Sequence, residues 1–191
     1  MWNEPSAGVA VAALDPDRAS RQPAPAVVAS VEPGSIGEDL GFEPGDQLLS
    51  INGVRPRDLI DYRYLIVEEE LHLEIRDAAG VLHQVDLEKD EDDGLGLAFT
   101  EALFDGLRQC SNACAFCFID QQPPGHRSSL YLKDDDYRLS FLYGSYLTLT
   151  NLSDSDWQRI EQQRLSPLFV SVHATDPDLR SSLLQNPRAG Q

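Results

Sequence analysis

Apolar and polar positions alternate in short blocks along the first half of the chain, and turn residues separate the blocks. "AVVASVE", from Ala26, reads as a β-branched strand, and Pro33-Gly34 as a turn. Ser35 is placed to cap a short helix, "SIGEDLG", which Gly41 stops. "EPGD" (43–46) is a second turn and "QLLSI" a second strand. Asn52-Gly53 follows, a dipeptide whose tolerance of positive φ suits a tight hairpin. "RDLIDYRYLI" carries apolar side chains at Leu59, Ile60, Tyr62 and Tyr64 to Ile66, the spacing of an amphipathic helix. "LHLEIRD" and "VLHQVDLE", divided by "AAG", alternate with period two and predict a terminal hairpin.

The second half has a different rhythm. "FDGLRQC" reads as a short strand, and "DDDYRLSFLYG" as a helix with an acidic first turn that Gly144 ends. "SYLTLTNL" reads as a strand. "SDSDWQRIEQQRL" reads as a helix capped by Ser153 or Ser155, with Trp157, Ile160, Arg164 and Leu165 on one face. "SPLFVSVHAT" is a nearly continuous apolar strand, as in a parallel sheet covered on both faces. Asp176 and Pro177 then open another helix, as N-cap and first helical residue. Strands and helices alternating at short spacing predict βα units. The acidic run "EKDEDDG" (88–94) separates the two halves as a solvated connector. Residues 15–25, rich in Pro, Ala and charge, read as part of an N-terminal arm or linker.

The order strand, "PGSIGEDLGFEPGDQLLSINGV", helix, hairpin resembles a bacterial PDZ domain over about residues 26 to 99. "GLGLAF" (94–99) resembles the loop with which PDZ domains cap a peptide's C-terminal carboxylate. That resemblance implies peptide binding by Gly94, Leu95, Gly96 and Leu97, with backbone N–H groups facing the anion beside a strand edge. The plainer reading of "GLGL" is a bend entering the next domain.

Charge narrows the function classes. Fifteen basic against 32 acidic residues give a net charge of −17, so duplex nucleic-acid binding by a broad basic face is disfavoured. No stretch reaches the ~18 to 20 consecutive apolar residues of a membrane span. "AGVAVAAL" near the N-terminus is short and preceded by Glu4 rather than a basic residue, which argues against a secretory signal. A cytoplasmic location is expected. In a reducing compartment, three closely spaced cysteines point to metal binding rather than disulfides.

All three cysteines of the chain, Cys110, Cys114 and Cys117, lie within "CSNACAFC". Three thiolates can hold three irons of a [4Fe–4S] cluster and leave the fourth iron open to a non-protein ligand. A structural zinc completed by a histidine such as His126 is the alternative metal reading. Free structural thiols are the third.

C-x3-C-x2-C with an aromatic residue before the third cysteine resembles the signature of the radical S-adenosylmethionine superfamily. The longer stretch from "CSNACAFCFIDQQPPG" to "SLYLKDDDYRLSFLYGSYLTLTNL" is similar to bacterial proteins that join a PDZ domain, a radical SAM domain and a C-terminal domain of unknown function. These are described as iron–sulfur oxidoreductases of the cyanobacterial type. The resemblance implies that Cys110, Cys114 and Cys117 ligate a [4Fe–4S] cluster and that the free iron binds S-adenosylmethionine. Reductive cleavage would then yield methionine and a 5′-deoxyadenosyl radical that attacks a substrate. It also implies an electron donor of the ferredoxin or flavodoxin type.

Further site residues follow less directly. By analogy with the superfamily, Phe116 lies near the adenine, although it and Phe118 could equally pack beneath the cysteine loop. Thr148, Thr150 and Asn151 fall toward the C-terminal end of a strand, where parallel sheets meet ligands. They stand where the superfamily holds the methionine amino group with a glycine-rich acidic motif that this sequence lacks. Solvent-facing strand polars are the alternative. Ser171 and His173 alternate on the next strand and would face the cofactor if that side is the barrel interior; a hydrogen-bonded core histidine is the alternative. Asp134 to Asp136 suit a helix start better than a hard cation.

The expected architecture is multidomain. It comprises an arm over 1–25, a small mainly-β PDZ-like domain over 26–93, and an incomplete α/β radical SAM barrel of partial TIM type over 94–191. That last span is far short of the ~250 residues of a complete (β/α) barrel, so the chain is expected to be a fragment with the first two or three βα units. The function expected is a radical SAM enzyme of unknown substrate, with a possible peptide or protein partner at the PDZ domain. The rival is a PDZ-based peptide-binding adaptor with a structural or electron-transferring iron–sulfur, or zinc, site.

Overall fold

The computed structural model describes residues 24–191, which divide into two compact units after Gly106. The expected arm over 1–25 lies almost wholly outside the described residues.

The first unit is a five-stranded antiparallel sheet with two short helices. Its strands are β1 (Ala26–Val31), β2 (Gln47–Ile51), β3 (Glu70–Arg76), β4 (Leu82–Glu88) and β5 (Leu97–Phe99), in the order β4-β3-β2-β1-β5. β3 and β4 pair without interruption from Glu70↔Glu88 to Arg76↔Leu82. Period-two alternation puts Leu71, Leu73 and Ile75 of β3 inward with Ala26, Val28, Leu48, Ile51 and Phe99. The expected boundary at residue 93 falls just before β5, which pairs with β1.

Both helices start on the side-chain oxygens their sequences offer. α1 (Ile36–Asp39) is capped by Ser35, whose Oγ accepts from the Glu38 N–H at 3.3 Å. α2 (Leu59–Leu65) is capped by the fully buried Asp58, which accepts from the Ile60 and Asp61 N–H groups. Gly37 is a packing requirement: a Cβ there would lie 2.5 Å from the Leu95 carbonyl oxygen, which accepts the Gly37 N–H. Asn52 and Gly53 both adopt positive φ in their turn, as the dipeptide predicts.

The second unit contains α3 (Tyr137–Tyr143), β6 (Tyr146–Leu147), α4 (Asp154–Gln162), β7 (Phe169–Val170) and α5 (Pro177–Leu184). β6 and β7 run parallel, with Tyr146 opposite Phe169 and Leu147 opposite Val170, and α4 crosses between them. This is one βαβ unit. The helix caps read from sequence are in place at Ser153 and Asp176, and Gly144 ends α3 with φ of +76°.

Several expectations about this unit need correction. Among the described residues the sheet of the α/β part is a two-stranded parallel pair. "FDGLRQC" is not a strand and contributes one isolated bridge, Gln109 to Asp134. "SYLTLTNL" leaves the ladder after two residues, because Leu149 turns to φ +61° and the Thr148 hydroxyl bonds to Asp135 instead. β7 is equally short, and His173 just beyond it has φ +64°. α3 begins at Tyr137 with Asp136 as its cap, so the three aspartates precede the helix rather than form its first turn. On α4 the buried side chains are Asp156 and Arg159, while Trp157 is exposed.

The second unit is therefore held as much by polar groups as by apolar ones. Tyr137, Leu147 and Leu184 are buried beside Asp136, Arg138, Asp156 and Arg159. Asp136 and Arg138 form a fully buried pair, with Nη2 2.7 Å from Oδ2. Arg108 grips Asp156 with both terminal nitrogens, and Arg159 donates to the Tyr137 hydroxyl at 3.0 Å. Buried charges of this kind destabilise the fold once one partner is removed.

Burial opposes ionisation of Asp156, but bonds from Arg108 and Ser153 outweigh it and hold its carboxyl below the usual carboxylate range. A depressed folded-state pKa stabilises the fold above the unfolded value, and that contribution is lost as pH falls through the folded one. Acidification from about pH 6 to about pH 3 should therefore lower the denaturation midpoint of the wild-type chain more than that of Asp156→Asn. The variant should start less stable at neutral pH. Equal acid sensitivity of the two would contradict this role for Asp156.

Candidate functional site

The three cysteines lie in the irregular segment that opens the second unit. All three are free and half-buried. Two backbone bonds anchor the start of the loop: the Cys110 N–H donates to the Lys133 carbonyl at 2.8 Å, and the Ala113 N–H to the Leu184 carbonyl at 3.1 Å. The Cys117 N–H closes a turn on the Cys114 carbonyl. Burial raises the pKa of Cys110 and of Cys114, while the Lys133 charge pulls both the other way.

Asn112, between the first two cysteines and 4% exposed, is the centre of the site's hydrogen bonding. Its Nδ2 donates to Thr148 Oγ1 at 2.9 Å, and its Oδ1 accepts from Thr150 Oγ1 at 3.0 Å and from Asn186 Nδ2 at 2.7 Å. Asp135, also buried, accepts from both the N–H and the hydroxyl of Thr148 at 2.6 Å. The cysteine loop, the end of β6, the segment before α3 and the turn after α5 thus meet in one network. Arg180 adds a cationic tie: its guanidinium donates to the carbonyls of Thr148, Val172 and Ala189.

The expected cofactor residues divide into two groups. Thr148 and Thr150 reach the cysteine loop, but their hydroxyls are engaged by Asn112 and Asp135. Asn151 donates through Nδ2 to the Gln109 and Asp135 carbonyls, which fixes its amide orientation. Its Oδ1 is the one buried side-chain polar atom without a partner among the described residues. Phe116 is 47% exposed and lies against His173, ring centroids 5.4 Å apart. Phe118 is 76% exposed, so neither ring packs beneath the loop. Ser171 donates its N–H to the Leu147 carbonyl just past β7, and His173 follows in a left-handed turn, so no continuous strand face carries both.

Sequence reasoning missed Asn112, Asn186 and Lys133, and read Asp135 only as part of a helix start. The only local signal was an asparagine set between two cysteines.

In the first unit, Leu95 is fully buried, and the Leu95 and Gly96 carbonyls accept from Gly37 and Glu32. The backbone of Leu97 already hydrogen-bonds the Tyr62 hydroxyl, and burial pushes that phenol well above its ordinary range. Gly94 is exposed. The expected peptide-binding loop is thus tied into its own domain at three of its four positions. No helix among the described residues is long and apolar enough to cross a membrane.

The family model described as a Radical SAM-like domain matches residues 89–191, more than half of the chain. The chain belongs to that family. A PDZ domain model matches residues 27–77, within the antiparallel unit. The crystal structure of the PDZ domain of the SdrC-like protein from Listeria innocua is similar to 42% of this chain. It is covered over 98% of its own length, at 11% identity and a TM-score of 0.35. No curated protein matches.

The network around Asn112 makes its own prediction. Asn112→Ala leaves Thr150 and Asn186 without their shared acceptor and should cost about 1 to 3 kcal/mol of stability in a denaturant titration. Hydrogen exchange at the Cys110 and Ala113 amides should rise selectively. Unchanged exchange there would mean that backbone bonds alone hold the loop.

Proposed function

We propose that this chain is part of a radical S-adenosylmethionine enzyme, an iron–sulfur oxidoreductase in which Cys110, Cys114 and Cys117 hold a [4Fe–4S] cluster. The observation that carries the reading is the donor set: three free thiols on one anchored loop, in the span that matches the Radical SAM-like family. Among the described residues no three His, Cys, Asp or Glu side chains converge to chelate a single ion. In a cubane each thiolate takes a different iron, so the three sulfurs need not meet at one point. The residues present fit the cluster on that count. When bound, the cluster would supply one electron to the sulfonium of S-adenosylmethionine, the chemistry that gives a 5′-deoxyadenosyl radical.

The protein's part is to bind, orient and exclude water. Cys110, Cys114 and Cys117 are the ligands. Thr148 and Thr150 act through Asn112, holding the loop at the end of β6. The unpartnered Asn151 Oδ1 suits the ammonium of the methionine moiety, since a buried acceptor without a donor is costly. Phe116, with His173 against it, offers an exposed aromatic face for the adenine. Ser171 is a polar group at the end of β7. The domain boundary lies between the PDZ domain and this α/β part. An electron donor of the ferredoxin or flavodoxin type supplies the reducing equivalent in a cytoplasmic setting, and the PDZ domain recruits a peptide or protein partner.

The PDZ domain over residues 27–77 favours one alternative. This is a peptide-binding adaptor whose metal site, iron–sulfur or zinc, is structural or transfers electrons.

Anaerobic reconstitution of the chain with ferrous iron and sulfide tests the cluster. The reading predicts about four irons and four sulfides per chain, and loss of both in Cys114→Ser. A colourless protein that binds zinc and takes up no sulfide would overturn it.

A further inference from the structure

Lys133 stands out among the groups around the cysteines. Its ammonium donates to Asp120 Oδ2 at 2.7 Å and to the Asn112 carbonyl at 3.2 Å, and its own carbonyl accepts the Cys110 N–H. Its side chain is 22% exposed, whereas that of Asp120 is 51% exposed. The Lys133 charge acts on the thiols of Cys110, Cys114 and Cys117, and Asp120 is within hydrogen-bond reach of the Cys117 thiol. Lys133 thus acts on all three thiols, Asp120 on those of Cys114 and Cys117, and Asp135 on that of Cys110, in a chain whose net charge is −17.

An ion pair with one exposed partner contributes little to folding, so stability alone does not account for this placement. Charge at the cysteines does. Three thiolates gather negative charge at one loop, and a cluster held by them becomes more negative still when it accepts an electron. A cation beside it stabilises the reduced state and raises the reduction potential; an anion lowers it. Groups outside the ligand set are a recognised means of tuning a metal site.

We infer that Lys133 is the counter-charge of the three-thiolate site and Asp120 its antagonist, and that together they set the reduction potential of the cluster bound there. Lys133 and Asp120 are positioning residues that act by charge, not ligands. The inference rests on the cluster reading above.

The test is a redox titration of the reconstituted chain, followed by the EPR of the reduced cluster, for wild type, Lys133→Met, Lys133→Arg and Asp120→Asn. Iron and sulfide content and circular dichroism are checked for each. Lys133→Met should shift the midpoint to more negative potential, and Lys133→Arg should restore it. Asp120→Asn keeps a hydrogen-bond acceptor for Lys133 but removes the negative charge, so it should shift the midpoint the opposite way. A purely structural pair would not give shifts of opposite sign. Should Lys133→Met fail to load, Asp120→Asn and Lys133→Arg carry the test. Midpoints that ignore the substitutions, or that move in the same direction for both charge removals, overturn the inference and leave the cluster reading standing. A wild-type chain that takes up no iron and sulfide ends both.

Discussion

A loop without regular secondary structure needs something other than a ladder or a helix to hold it, and here that is the buried amide of Asn112. One side chain reaches Thr148 and Thr150 past the end of β6 and Asn186 past the end of α5. Asp135 completes the arrangement by taking both donors of Thr148. The three cysteines gain their place from this network. Hydrogen bonds in a water-poor setting are strong when every member is satisfied and expensive when one is not. The same requirement explains why β6 stops so early: Thr148 and Thr150 serve the loop rather than a longer sheet.

Charge organises the second unit in the same way. Acidic groups outnumber basic ones in the chain, and the unit assigns four of its arginines to particular partners. Arg138 faces Asp136, Arg108 faces Asp156, Arg159 faces Tyr137, and Arg180 faces a group of backbone carbonyls. Lys133 lies beside the cysteine loop, on the Asn112 carbonyl and Asp120. The first unit relies instead on the alternation of β3 and on an apolar cluster of leucine, β-branched and aromatic side chains. Its close-packed points include Gly37 against Leu95 and Tyr62 beside Leu97.

Most of the first unit was legible in the sequence because its instructions are local. Asn52-Gly53, Ser35 and the period-two runs each act on neighbours a few residues away. The same holds for Ser153, Asp176 and Gly144 in the second unit. The site was legible only in its thiols. Asn112 is 36 residues from Thr148 and 74 from Asn186, and no periodicity marks partners at such distances. Strand lengths were overestimated for the same reason, since "SYLTLTNL" has the composition of a strand while Thr148 is claimed by the Asp135 carboxylate and Thr150 by the Asn112 amide. On α4 the expected apolar face lost to a buried ion pair, because Asp156 had a partner in Arg108 that local spacing does not reveal.

The central claim, that the three-cysteine loop holds a cluster with one iron open to S-adenosylmethionine, is tested most directly by EPR of the anaerobically reconstituted, dithionite-reduced chain with and without that molecule. A [4Fe–4S]⁺ signal whose shape and g-values change when S-adenosylmethionine is added is the expected result. A reduced-cluster signal indifferent to its addition would contradict the claim.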